Sequence, residues 1–282
     1  MGRHNLKTQK EKSEIFQSLH QRPGCFIIPN PWDAGSSKLL SDLGFEALAT
    51  TSAGLAFSLG KSDGKNCISM EQAIANASDI VQATNLPVSA DLENGYHDDP
   101  EGVFDTITNA EKIGLVGGSI EDATGDSNNP IYGFDFSVER IKAAAEAVKK
   151  LTYPFVLTAR AENFLYGRPD LKDTIRRLQA FQDAGADVLY APGLKDRDDI
   201  ATVVRELDKP VNVLMGLSGV NFSVNELTDL GVKRISLGSS LNRAALGALL
   251  VAADEILNRG SFTFSEDAAV YGNLNELFSQ NK

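Results

Sequence analysis

Short, continuously apolar runs alternate along the chain with longer amphipathic stretches. The short runs fall at 25–29, 47–51, 87–91, 117–121, 154–160, 187–192, 210–215 and 232–238. Each is rich in β-formers and apolar at successive positions, the pattern of strands buried on both faces of a parallel sheet. The intervening stretches, such as 69–84, 137–151 and 170–185, repeat their apolar positions at three- and four-residue steps. That spacing gives a helix one buried stripe. The joints repeat as well. Gly44, Gly114, Gly185 and Gly231 each lead from a helical stretch into a strand, where glycine suits the left-handed position that ends a helix. Pro87, Pro154 and Pro210 open three other strands; proline stops the preceding helix and tolerates a strand's first position. Eight strand–helix units behind a leading helix at 7–20 predict an α/β fold, a (β/α)8 TIM barrel. A doubly wound open sheet is the alternative arrangement of the same units.

The length of 282 residues suits one barrel domain over 1–282, since such barrels run to about 250 residues. A C-terminal extension at 261–282 either caps the barrel or docks on a neighbouring subunit. The net charge of −11 argues against nucleic acid or an anionic membrane as partner. The two cysteines, Cys25 and Cys67, make no disulfide framework and fit a reducing cytoplasm. The first twelve residues are polar and charged, unlike the core of a signal peptide. No apolar run reaches the length of about 18 residues that a membrane span needs.

Barrel enzymes carry their chemistry at the C-terminal ends of the strands. The third run ends at Asp91, with Glu93 two residues on; the fourth ends at Glu121 and Asp122, and the fifth runs through Arg160 to Glu162. Acids crowded on one rim repel one another and are tolerated if a cation sits among them. Oxygen-only ligands favour Mg²⁺, with Mn²⁺ as the substitute, over zinc. The chain has only three histidines, His4, His20 and His97, which argues against a multi-histidine zinc site. An arginine beside such acids suits a substrate carboxylate or an anionic intermediate. The residues alone therefore indicate metal-assisted chemistry on a small anion.

These segments resemble, in order, the signatures of the isocitrate lyase/phosphoenolpyruvate mutase superfamily. Asn30-Pro31-Trp32-Asp33-Ala34 is similar to the family's opening after strand one. Thr51-Ser52-Ala53-Gly54, followed by Ser58-Leu59-Gly60 and Asp63, is similar to its second segment, and Asp91-Leu92-Glu93-Asn94-Gly95-Tyr96 to its metal-site segment. Ile120-Glu121-Asp122, Ala159-Arg160-Ala161 and Ala184-Gly185-Ala186-Asp187 complete a resemblance that covers 22–258. It implies that Asp91 and Glu93 hold Mg²⁺, directly or through water, with Glu121 behind them. It implies that Ser52, Ala53 and Gly54 bind the substrate carboxylate, and that Arg160 meets the oxo-acid or enolate oxygens. Trp32, Asp33 and Asn212 would line the pocket, and Asp63 would sit on a mobile loop near the metal. The activity implied is a lyase, decarboxylase or hydrolase working on the bond to C3 of a small 2-oxo acid or 2-hydroxy di- or tricarboxylate through an enolate. The resemblance also implies a homo-oligomer, since relatives often exchange their eighth helix between subunits; the apolar stretch 244–256 would permit that and equally fits an ordinary barrel helix.

One departure narrows the substrate. Isocitrate and methylisocitrate lyases carry Lys-x-Cys-Gly-His after strand four. Here 122–130 contains no lysine, cysteine or histidine, which argues against cleavage of those two substrates. A phosphoenolpyruvate/phosphonopyruvate mutase and a non-catalytic oxo-acid-binding protein remain as alternatives.

Overall fold

Each of the eight apolar runs carries one parallel strand: β1 Phe26–Ile28, β2 Leu48–Ala49, β3 Val88–Asp91, β4 Gly117–Glu121, β5 Val156–Arg160, β6 Val188–Tyr190, β7 Val211–Leu214 and β8 Arg234–Ser236. The computed structural model describes residues 6–279. His4, both ends of the 1–282 span and the last three residues of the 261–282 extension lie outside the described residues. The helices are α1 Gln9–Gln21, α2 Ala34–Asp42, α3 Ser52–Ser58, α4 Met70–Gln82, α5 Pro100–Lys112, α6 Phe134–Lys149, α7 Leu171–Ala184, α8 Arg197–Arg205, α9 Val224–Asp229, α10 Ser240–Arg259 and α11 Tyr271–Ser279. Two of these exceed the sequence expectation. The short α3 precedes α4 after β2, nucleated by the Thr51 side chain accepting from Gly54 N, and α11 lies in the C-terminal extension.

The sheet order is β1-β8-β7-β6-β5-β4-β3-β2. Strands adjacent in sequence are adjacent in space, and β1 returns to pair with β8 through Phe26 and Arg234. A doubly wound sheet does not join its first and last strands, so the structure selects the barrel. The seam between β1 and β2 is stitched rather than laddered. Ala49 N donates to Pro29 O at 3.0 Å. Buried Asn30 donates to Thr50 O and accepts from the amides of Leu237 and Gly238, all at 2.9 Å, tying three strand ends together.

The four joint glycines hold φ of 91°, 95°, 112° and 85° in the left-handed region, which side-chain-bearing residues avoid. The helix α1 closes the N-terminal end of the barrel. Its Phe16 and Leu19 pack among Phe26, Ile28, Val116, Val156 and Val188. Gly117 makes room for this plug, because a Cβ there would lie 2.8 Å from the Phe16 ring. The C-terminal extension turns back to its own barrel wall, with Phe278 beside Gly35 and Leu277 alongside Lys38 and Ser41. By contrast, only Asn242 and Glu255 are buried in the twenty-residue α10. Among the described residues no helix is long and apolar enough to cross a membrane.

Candidate active site

Strand alternation puts Ser89 and Asp91 of β3, Ser119 and Glu121 of β4, and Thr158 and Arg160 of β5 on the inward face, each upper residue one pleat above the lower. All six are polar, so the upper barrel is not filled with aliphatic side chains. A cavity of about 180 Å³ occupies it. Ser52, Ala53, Asp63, Asp91, Arg160 and Asn212 all wall this cavity, and the structure thus brings together six of the residues expected from sequence.

The guanidinium of Arg160 organises the rim. Nη1 lies 2.9 Å from Asp91 Oδ1, Nη2 lies 3.0 Å from Glu121 Oε2, and Nε lies 2.8 Å from Glu162 Oε1. Its plane faces the Tyr190 ring, 5.2 Å from the centroid. Three carboxylates raise the Arg160 pKa still further, against the burial that opposes its charge. Asp91 is held from its other side by Ser52, whose hydroxyl donates to Oδ2 at 2.9 Å and whose amide donates at 3.2 Å. The hydroxyl and amide expected to meet a substrate carboxylate therefore hold the central acid in this structure.

One arginine does not neutralise so many acids. Burial pushes the Glu93 carboxyl up to about 8, helped by the charges of Asp91 and Asp63 and opposed by Arg160. The same causes, burial and then Asp91, raise Asp63. Burial drives Glu121 well above the usual range against the pull of Arg160, and brings Glu162 to about 7. Glu93 also adopts φ 47°, in the region that costs a side-chain-bearing residue energy and recurs at functional sites.

This donor set fits a hard divalent cation. It is all oxygen, excess in negative charge and walled by a cavity. Among the described residues no three His, Cys, Asp or Glu side chains converge to enclose an ion. Mg²⁺ asks for less, since it keeps several waters and takes one or two carboxylates. Asp91 and Glu93 would hold it, while Glu121 lies behind Arg160.

Other expected residues stand off the cavity wall. Glu93 and Glu121 act on it through their charge. Asp33 is the N-cap of α2, its Oδ1 accepting from Ser36 N at 2.7 Å, and is exposed; the expected lining role meets a helix-capping one. Trp32 is half-buried and backs α3. A Cβ on Gly54 would lie 3.0 Å from Trp32 Cβ and 2.6 Å from Thr51 Cγ2, so Gly54 is there for close packing.

Residues given no individual role from sequence complete the site. Glu162 is the third acid on Arg160. Asp122 is taken by Arg177 at 2.9 Å and accepts from Glu162 N at 2.8 Å, which fixes the Glu162 backbone. Arg234 walls the cavity from below. The register carries one inward row through Glu121, Arg160, Tyr190, Asn212 and Arg234 across five consecutive strands. Arg160 ends its strand and Arg234 begins its own, so the row descends from rim to floor, as barrel shear requires. A charged residue inside the apolar run 232–238 was the available signal for Arg234.

Comparison with known proteins bears on this arrangement. The phosphoenolpyruvate phosphomutase family profile matches residues 16–257. A solved structure from Burkholderia cenocepacia J2315, described as a "putative lyase/mutase", is 55% identical; the match covers 97% of this chain and 98% of that one, with a TM-score of 0.94. The uncharacterized protein Rv1998c of Mycobacterium tuberculosis H37Rv is 31% identical over 84% of this chain and 87% of its own length. The oxaloacetate decarboxylase of Chromohalobacter salexigens is 26% identical over 86% and 84% respectively. With the barrel, the acid–arginine rim and a family match over most of its length, the chain belongs to the isocitrate lyase/phosphoenolpyruvate mutase superfamily.

Proposed function

We propose that the protein is a Mg²⁺-dependent lyase, decarboxylase or hydrolase that breaks the bond to C3 of a small 2-oxo acid or 2-hydroxy di- or tricarboxylate. The observation that supports this reading most is Arg160 held by Asp91, Glu121 and Glu162 on the wall of one cavity. The three acids fix the guanidinium before substrate arrives. A guanidinium has five N–H donors, so contacts to three acids leave donors for ligand oxygen. When the bond to C3 breaks, its electron pair delocalises onto the carbonyl oxygen, and a fixed cation there stabilises the charge as it develops. Bound Mg²⁺ would supply a Lewis acid for the oxo group and offset the surplus acid charge. Ser52 holds Asp91 in place, Tyr190 covers the guanidinium face, and the Asn212 amide presents a polar wall opposite Asp91.

The segment 122–130 supplies no cysteine, lysine or histidine, and its Asp122 is committed to Arg177. The acid that isocitrate and methylisocitrate lyases carry in that loop is therefore missing, which argues against cleavage of those two substrates. The test is pyruvate release, with Mg²⁺ or with EDTA, from oxaloacetate, 2-methylisocitrate, 2,3-dimethylmalate and phosphonopyruvate. The expected result is EDTA-sensitive turnover of one of these other than 2-methylisocitrate, lost in Arg160→Lys. Turnover of the best substrate that survives both chelation and Asp91→Ala would overturn the reading.

A further inference from the structure

The floor of the cavity holds a cation without a counter-charge. Arg234 is 5% exposed and walls the same cavity as Arg160. Its partners are neutral: Nε donates to Asn212 Oδ1 at 2.9 Å, Nη2 to Thr158 Oγ1 at 3.0 Å, and Nη1 approaches His20 Nε2 at 3.5 Å. Among the described residues no carboxylate forms an ion pair with it. Burial brings its pKa down to about 10, and Tyr190 is the one group that opposes the fall. Arg160, one pleat above, is shared among three acids, so the two arginines of the row differ in kind. Buried charges are ordinarily paired, because an unpaired one costs several kcal/mol.

The surroundings are built for an acceptor-bearing group. Asn212 is locked, its oxygen on Arg234 and its Nδ2 donating to Ser236 Oγ at 2.9 Å. Ser89, Ser119 and Ser236 also wall the cavity, adding hydroxyls that donate or accept. These three contacts leave Arg234 two of its five N–H donors.

We propose that Arg234, oriented by Thr158 and joined by Asn212 and Ser236, is a carboxylate subsite on the floor of the barrel, which takes the second carboxylate of a substrate whose other end lies at the Asp91/Arg160 rim. The proposal rests on the reading of the cavity as the substrate site. A carboxylate gripped there is stabilised in the ground state, so it serves as a handle and not as the leaving group. A free small carboxylate shares this chemistry, and the experiment separates the two sources.

Calorimetric titration in Mg²⁺ with racemic malate and racemic 2-hydroxybutyrate, which differ only in the second carboxylate, tests the subsite in the unaltered protein. Malate is expected to bind at least about tenfold more tightly, the value of a charge-assisted hydrogen bond. Arg234→Gln is expected to bring the ratio to about one, and Arg234→Lys to retain part of it. Should Arg234→Gln fail to fold, the wild-type ratio and the Lys variant still decide. A wild-type ratio of one, with formate protecting wild type but not Arg234→Gln against heat, keeps the subsite and assigns it to a free anion. A ratio of one with no effect of formate, or a preference for malate that survives in Arg234→Gln, overturns the subsite and leaves the proposed function standing. Binding of neither acid in Mg²⁺ overturns both.

Discussion

Arg160 Nη1 lies 2.9 Å from Asp91 Oδ1, joining β5 to β3 over the intervening β4, whose own terminal acid, Glu121, is held by the same guanidinium at 3.0 Å. One side chain thus fixes three neighbouring strand ends. Removing it strands Asp91, Glu121 and Glu162 as buried charges. Arg160→Ala is expected to lower the free energy of unfolding by about 3–5 kcal/mol, the usual cost of breaking a buried ion pair from one side. Arg160→Lys, which keeps the charge but not the planar fork, is expected to lose less stability and still lose about 10²–10³ in kcat, as removal of one transition-state donor does. Urea unfolding at neutral pH and the pyruvate assay check both. Wild-type kcat in the lysine variant would refute the positioning role of the fork.

The crowding around Glu93 makes the metal-free protein sensitive to pH. Its carboxyl titrates near 8 in the folded chain, against 4.5 ordinarily. A raised folded pKa means that the folded state holds the proton longer. The contribution to stability is complete below the unfolded value and is lost as pH rises from about 4.5 through about 8. Mg²⁺ must displace that proton, so its stabilisation is expected to be larger at about pH 8 than at about pH 6. Thermal unfolding in EDTA and in Mg²⁺ at both pH values tests this. Glu93→Gln should flatten the EDTA profile and weaken the Mg²⁺ effect. An equal Mg²⁺ shift at both pH values in wild type would count against Glu93 as a ligand.

How far the sequence reaches can be judged on particular residues. Gly114 and Gly185 announce helix ends because a left-handed φ is a local property that glycine alone meets cheaply. Asp91 and Arg160 are legible because strand ends in barrels face the site. Asp33 and Ser52 are less so. A short polar residue after a strand suits a ligand contact, a helix cap or a brace for another acid equally well, and only coordinates distinguish these uses. Arg234 shows in the sequence as a charge inside an apolar run, but what it does lies beyond sequence reasoning for a different reason. Its role follows from what is absent around it, a carboxylate, and absence in space leaves no pattern along the chain. The short α3 was similarly hidden, since seven residues are too few for a helical period to show.

Below Arg234, His20 is sealed between Phe16 and Phe26, with ring centroids 4.8 and 5.0 Å away. Its Nδ1 lies 2.8 Å from Phe16 O, an acceptor, so Nδ1 carries the proton and Nε2 faces Arg234 with its lone pair. Burial, and then the Arg234 charge, depresses its pKa to about 3 from 6.5. A depressed folded pKa means that the unfolded chain takes up the proton first. Stability from this group is complete above about 6.5 and is lost as pH falls toward about 3, at up to roughly 1.4 kcal/mol per pH unit. His20→Gln is expected to remove this slope, so that its stability relative to wild type improves between about pH 6.5 and about pH 4. Urea unfolding of both proteins at the two ends of that range measures the difference. A constant offset would show that His20 titrates normally.

The helix α10 carries an apolar surface that its own barrel leaves uncovered. Leu249, Leu250, Val251 and Leu257 are 63%, 70%, 70% and 82% exposed, and Leu246 joins them at 37%. Leu246, Leu250 and Leu257 fall near one face, at steps of four and seven residues. A contiguous apolar stripe of this kind on an isolated chain marks a contact with another protein surface. The described part of the C-terminal extension leaves this stripe open, because its first turn holds Glu255 and α11 lies against α2. We therefore expect self-association, with mass photometry giving a multiple of 30.3 kDa. Leu250→Glu combined with Leu257→Glu places charges at positions already exposed in the protomer. It should leave the barrel folded by circular dichroism while shifting the particle to the single-chain mass. A wild-type protein that runs at 30.3 kDa across the accessible concentration range would rule out this use of α10. A double variant that retains the wild-type mass would place the contact elsewhere on the molecule.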